Sequence, residues 1–194
     1  MYRFLISCLL LLGGVAAHAQ TALKINATDP LSGRYGLSVE HRLSDTFSVG
    51  AEVDLLSREV FLEGQSWFIS QNAMKRGVVA EPFVRWYPTV AEDLTGVYAS
   101  LGGFFGFANY TLDEPDQLDN HTWSASGASL HLGWQKCLGR LALDMYLGTT
   151  WANDKYPTVY EEATALYPPP QGLRASAGLR LGWVFKATGS DAIR

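Results

Sequence analysis

Leu173-Arg174-Ala175-Ser176-Ala177-Gly178-Leu179-Arg180-Leu181-Gly182-Trp183-Val184-Phe185 alternates in polarity over its whole length. The odd positions are apolar without exception. The even ones carry Arg174, Ser176, Gly178, Arg180 and Gly182, interrupted only by Val184. Side chains on a strand point to opposite faces in turn, so one face of this segment is continuously greasy and the other polar or small. The run is long enough for a tilted strand to cross a bilayer, which takes roughly 9–11 residues. It lies near the C-terminus and closes on an aromatic. These features predict an all-β fold in which this is the closing strand of a transmembrane β-barrel, with one face to lipid and one to the lumen.

The opening residues predict how such a strand reaches a membrane. Arg3 precedes an apolar run from Phe4 to Leu12, then Gly13-Gly14 and Ala17-His18-Ala19. This is the charged, apolar and small-x-small order of a secretory signal peptide, predicted to span 1–19 and to be cut before Gln20. Cys8 lies within the apolar run. Cys137 is then the one cysteine left in the mature chain, so no intramolecular disulfide is available. The composition is 47% hydrophobic with 19 glycines, yet no later run is long enough for a helical span. A net charge of -4 without a basic stripe argues against nucleic acid as a partner.

Seven further alternating segments accompany the closing one, at 23–27, 35–42, 47–55, 77–87, 96–110, 123–136 and 140–151. Together they predict eight antiparallel strands within a single domain, 20–194, ending in a polar tail, 186–194. Asp29-Pro30-Leu31-Ser32-Gly33 carries turn chemistry, since Pro fixes φ and Gly permits a positive one. Cys137-Leu138-Gly139 predicts a tight turn. Pro82 lacks a ladder donor and predicts a bulge or local distortion.

Alternation alone does not distinguish a membrane barrel from a soluble ligand-binding barrel, because the two are inside-out versions of each other. Three features favour the membrane form. Connections after the second, fourth and sixth strands are short, while those after the third, fifth and seventh are long, matching periplasmic turns and external loops. Tyr35, Phe47, Trp86, Phe107, Trp134, Trp151, Trp183 and Phe185 cluster near strand ends on the apolar face, as two interfacial girdles would. The polar faces carry Lys24, Arg42, Arg85, Arg140, Arg174 and Arg180 together with Glu40, Glu52, Asp54, Glu81 and Asp144, a near balance that allows pairing in a lumen. Eight strands enclose little more than their own side chains, so a plugged interior is expected.

Leu23-Lys24-Ile25-Asn26 and Gly36-Leu37-Ser38-Val39-Glu40-His41-Arg42-Leu43-Ser44 resemble a family of small outer-membrane barrels of unknown function common in Bacteroidota. Glu81-Pro82-Phe83-Val84-Arg85-Trp86-Tyr87-Pro88 is similar to that family's fourth-strand Arg-Tyr-Tyr segment, with Trp86 in place of one tyrosine. The resemblance covers most of the mature chain and implies a fold and a location, the outer membrane, without an assigned chemistry. Resemblance to outer-membrane barrels also implies that Phe185 is the terminal aromatic read by the barrel-assembly machinery. The tail beyond it departs from the pattern.

No catalytic, cofactor-binding or metal residue is assigned from the sequence, no cofactor is expected, and the chain is expected not to be an enzyme. Three segments offer alternative chemistry. The acidic segment Asp113-Glu114-Pro115-Asp116-Gln117-Leu118-Asp119 offers hard oxygen donors but lacks the glycine-centred spacing of a calcium loop. A lipid-A-directed acyl hydrolase would use His121 with Ser124 or Ser126 and a carboxylate such as Asp119, although no acyl-hydrolase motif is present. Trp67, Phe68, Tyr156, Tyr160 and Tyr167, beside Pro168-Pro169-Pro170, could present a surface to a partner or glycan. His131 is expected in the ion-pair plug and His41 at the interface. The expectation is a monomeric, plugged outer-membrane barrel with a structural or surface-interaction role. Its surroundings would be outer-membrane lipid and lipopolysaccharide, with any partner met through the external loops. A narrow channel is the remaining alternative.

Overall fold

A computed structural model describes residues 20–64, 71–89, 94–112, 121–156, 160–162 and 171–185, and each alternating segment forms a strand. The strands are β1 (Thr21–Asn26), β2 (Arg34–Arg42), β3 (Phe47–Gly64), β4 (Gln71–Trp86), β5 (Gly96–Leu112), β6 (Thr122–Leu138), β7 (Leu141–Lys155), β8 (Tyr160–Glu162) and β9 (Gln171–Phe185). A 3₁₀ turn, Asp29–Ser32, links β1 to β2. Each of β1 to β7 pairs antiparallel with its sequence neighbour, β7 pairs with β9, and β9 pairs with β1. The result is a closed eight-stranded barrel, with three-residue β8 attached to the free edge of upper β3. Among the described residues no helix is long and apolar enough to cross a membrane. The expected signal peptide, 1–19, and the polar tail lie outside the described residues.

Local chemistry accounts for the connections. Gly33 ends the 3₁₀ turn at φ +69°, and Gly139 opens the β6–β7 hairpin at φ +64°, conformations that cost an L side chain more than glycine. That hairpin turn is Gly139-Arg140, with Leu138 opposite Leu141, so Cys137 and Leu138, expected in the turn, belong to the ladder of β6 instead. Pro82 interrupts the β4–β5 ladder locally. The pairs Ala80↔Phe105 and Phe83↔Gly102 flank the gap in one unbroken register, so the distortion adds no bulge residue.

The third and fourth strands are much longer than alternation predicts. Their ladder continues from Leu55↔Val78 to Leu62↔Gln71. The cause is a reversal of polarity at Leu55-Leu56, where two adjacent apolar residues break the period. Below that point Val53 and Leu55 face outward and Glu52 and Asp54 inward. Above it Leu56, Val60 and Leu62 are buried inside while Ser57 and Glu59 are exposed outside, although Phe61 also faces out. The other long strands change over in the same sense. Ala73, Ala108, Tyr110, Trp123, Ala125 and Ala152 join an inward apolar cluster, leaving Asn72, Arg76, Asn109, Thr111 and Ser126 outward.

Lower down, the outward face is an apolar belt that includes Leu37, Val39, Val84, Leu101, Phe105, Leu130, Leu132, Leu147 and Leu181, each at least 43% exposed. All eight aromatics expected in the girdles are also exposed on this face. Several inward aromatics lie over a glycine on the next strand. Tyr98 covers Gly133, and Tyr146 covers Gly178, its direct cross-strand partner. Such pairs let large rings fit in a narrow barrel, because the glycine leaves the facing position empty.

Candidate functional site

The lumen is built in tiers, starting from a charged floor. Lys24, on β1, is wholly buried and donates from Nζ to Glu40 Oε2 (2.5 Å), Gln135 Oε1 (2.5 Å) and Asp144 Oδ2 (2.9 Å). Arg85, on β4, donates from one guanidinium nitrogen to Glu40 Oε2 at 2.9 Å and to Gln135 Oε1 at 3.0 Å, and its charge lies 2.9 Å from Asp144 Oδ2. The second oxygens of the two acids are also occupied. Ser48 (2.5 Å) and Tyr87 (2.9 Å) donate to Glu40 Oε1, and Tyr98 donates to Asp144 Oδ1 at 2.6 Å. Buried charges are tolerable only with this kind of pairing and saturation. The rings of Tyr98 and Phe83 flank the Arg85 guanidinium at 4.1 and 4.8 Å, and Tyr87, Tyr98, Leu94, Ala22, Ala142 and Val184 pack around the floor.

The second tier is acidic. Arg180, stacked 4.0 Å from the Tyr146 ring, donates from Nε to Glu52 Oε2 at 2.7 Å. Asn26 donates to Glu52 Oε1 at 3.2 Å. Asp54, one turn of alternation above Glu52, is paired by Arg34 through Oδ2. Asp29 enters from the 3₁₀ turn, and oxygens of Asp29, Glu52 and Asp54 lie within 4.8 Å of one another. Asp29 is in the connection between strands. Burial pushes its carboxyl up to about 6, with Arg34 opposing the rise and Asp54 and Glu52 adding to it. Glu81, on the same tier, accepts from Ser129 at 2.5 Å.

The third tier mixes cations with apolar surface. The Lys75 ammonium sits 3.6 Å from the Trp123 ring centre, Trp123 donates to Asp154 at 3.1 Å, and Asp154 pairs with Arg174. Between the floor and this rim lies a cavity of about 670 Å³, lined among others by Asp29, Glu52, Lys75, Trp123, His131 and Arg174. Hydrogen-bonding groups of both signs on its walls suit a polar or zwitterionic occupant.

The structure redistributes the expected lumen charges. Lys24, Arg85, Arg180, Glu40, Glu52 and Asp144 meet in the lower tiers. Arg42 instead pairs with Asp45 beside the short turn, where the partner is nearest, and Arg140 is exposed within the β6–β7 turn. Arg174 belongs to the rim rather than the plug. Its partner Asp154, like Arg34 for Asp54, lies outside the strands visible as clean alternation. His131 does face the lumen, but it stacks 4.8 Å from Tyr146 and its Nε2 has no hydrogen-bond partner among the described residues, so it stands above the ion-pair plug. His41 is half-buried and bonded to Thr21 at 3.0 Å.

The remaining candidates fall as follows. Ser124 and Ser126 share the outward face of β6, because Trp123 and Ala125 point in; His121 precedes the strand, with its carbonyl accepting from the Tyr110 amide. Asp119, the acidic segment 113–119, Trp67, Phe68, Tyr167 and the triple proline lie outside the described residues. Tyr156 packs on the upper apolar cluster and lines the cavity. No family model matches the chain, and neither the curated proteins nor the solved structures provide a match.

Proposed function

We propose that the chain is a monomeric outer-membrane barrel with a surface-interaction role. Its floor is sealed by ion pairs, and its open upper cavity faces the cell exterior. The observation that carries this reading is the reversal of polarity along single strands. Where the outside is apolar the inside carries the ion-pair floor and the acidic tier, and where the outside turns polar the inside gains an apolar cluster beside Lys75 and Asp154. A wall immersed in water throughout has no reason to invert, whereas one passing from hydrocarbon to water must, because each medium selects its own outward face. The exposed aromatics near the limits of the apolar belt support the same orientation, and so does the resemblance to small outer-membrane barrels of Bacteroidota. Barrel-assembly machinery and the lipids of the outer membrane, lipopolysaccharide included, are the partners this implies.

A structural or binding role is favoured over a channel by the floor, where Lys24, Arg85, Glu40 and Asp144 occupy the centre of the barrel and hold one another. The test is membrane fractionation combined with electrophoresis of heated and unheated protein. Recovery with the outer membrane, and a heat-dependent change in mobility, is the expected result. A protein found in the soluble fraction would rule the proposal out.

A further inference from the structure

We infer that Asp29, Glu52 and Asp54 form a binding site for a hard divalent cation, calcium, in the wall of the lumen. The carboxylates of Glu52 and Asp54 each divide their two oxygens between an arginine and the lumen wall. Glu52 gives Oε2 to Arg180, and Asp54 gives Oδ2 to Arg34. Their other oxygens, Glu52 Oε1, which also accepts from Asn26 at 3.2 Å, and Asp54 Oδ1, turn with Asp29 Oδ2 towards one space beside Gly36 on β2. A methyl group at Gly36 would lie 2.5 Å from Asp54 Oδ1, 2.8 Å from Asp29 Oδ2 and 2.9 Å from Glu52 Oε1. The missing side chain therefore leaves a cradle bounded by three anionic oxygens.

A second observation shows that the cradle lacks a counterpart. Asp54 is 2% exposed, yet its Oδ1 has no hydrogen-bond partner among the described residues, and neither does Asp29 Oδ2. Ser38 lies next along the inward face of β2, directly opposite Glu52. It is 1% exposed, and its hydroxyl is likewise without a partner. Buried acceptors are normally satisfied, and leaving two anionic ones, Asp54 Oδ1 and Asp29 Oδ2, unsatisfied in one place is costly. An ion in the cradle would satisfy Asp54 Oδ1 and Asp29 Oδ2 together.

The donor set selects the ion. All donors are oxygen, which suits calcium, magnesium or manganese rather than softer metals. Oxygens up to 4.8 Å apart can stand on opposite sides of a calcium ion at its usual ~2.4 Å ligand distance, whereas magnesium requires a tighter set. Arg34 and Arg180 offset part of the negative charge, so affinity should resemble that of modest extracellular sites, with a dissociation constant of about 10⁻⁴ to 10⁻³ M. Asp29 and Glu52 line the cavity, which gives the ion a route from the upper side. The inference stands on lumen geometry and does not depend on what surrounds the barrel.

The experiment is calorimetric titration of the folded, chelator-stripped full chain with CaCl₂ and, separately, MgCl₂, using heat-dependent mobility as the check on folding. One calcium per chain is expected, with magnesium weaker. Gly36→Ala, which fills the cradle at constant charge, and Asp29→Asn, in the connecting turn, should each weaken calcium by about tenfold or more. A variant with Asp113→Asn, Asp116→Asn and Asp119→Asn should bind as the parent does. Failure of the folded parent chain to take up calcium at millimolar concentration would overturn the site, whatever the variants do. So would loss of binding in the Asp113/Asp116/Asp119 variant, or undiminished binding in Gly36→Ala and Asp29→Asn. Magnesium binding of equal strength would overturn the choice of calcium.

Discussion

Lys24 donates to groups on β2, β6 and β7, so its removal leaves two buried carboxylates to Arg85, with Arg180 reaching only Asp144, at 3.8 Å. Breaking a buried ion pair from one side typically costs about 3–5 kcal/mol, because the remaining charge stays buried. Lys24→Met is expected to lose that much in urea unfolding of the lipid-reconstituted protein. The double change Lys24→Met with Glu40→Gln should recover part of the loss. A cost below about 1 kcal/mol would place the pair with exposed surface pairs instead. Asp29 gives a pH signature at the same scale. Its groups in reach are Arg34, Asp54, Glu52 and Arg180, and burial raises its carboxyl to about 6 from the usual 3.8. Between those values the folded chain holds a proton that the unfolded chain has released, so this contribution to stability falls as pH rises from about 4 to about 6. In chelator, the unfolding midpoint of Asp29→Asn relative to the parent should therefore improve across that interval. A constant difference would contradict the assignment. The charged floor was largely legible from residues, since Lys24, Glu40, Arg85, Asp144 and Arg180 all occupy polar positions of alternating runs. Asp29 was not, because a short Asp-Pro-containing segment signals a turn and says nothing of the side chains it delivers into a lumen.

Between neighbouring strands, the aromatic-over-glycine pairs set the tolerance of the wall. Gly178→Ala would drive a methyl into the Tyr146 ring and dislodge its cover over Arg180. An overpacking cost of about 1–3 kcal/mol is expected, readable as a lower unfolding midpoint, and Tyr146→Phe should not mimic it. In β9 the two faces separate two kinds of failure. Val184 is 1% exposed and packs with the lower cluster, while Phe185 is 53% exposed on the apolar face. Phe185→Ala should impair membrane insertion far more than Val184→Ala, whereas Val184→Ala should chiefly lower the stability of molecules already inserted. Equal insertion yields would remove the special role of Phe185. The period-two pattern located every barrel strand but truncated β3, β4 and β7. Alternation is detected by constant phase, and the phase slips where the outward face changes polarity, as at Leu55-Leu56. Three-residue β8 is too short to carry a periodic signal at all.

For the whole barrel, one outer surface and one sealed interior make opposite demands on experiment. The apolar belt should keep the native chain compact in detergent below its unfolding temperature, giving the heat-dependent mobility described above. The floor should hold planar-bilayer conductance at leak level, and openings well above leak would mean that the ion pairs part. The tiers also bear on the order of events during assembly. Lys24 finds its partners 16, 111 and 120 residues away along the chain. The two distant contacts, to Gln135 and Asp144, form late, after most of the loop-closure entropy has been spent. Glu40, on the adjacent β2, comes within reach of Lys24 when the β1–β2 ladder forms, whereas Gln135 and Asp144 are reached only when β1 meets β9 and the ring closes. Under the proposed membrane location, the plug would act as a checkpoint on closure: an incomplete or misregistered ring would carry unmatched charge, which hydrocarbon disfavours.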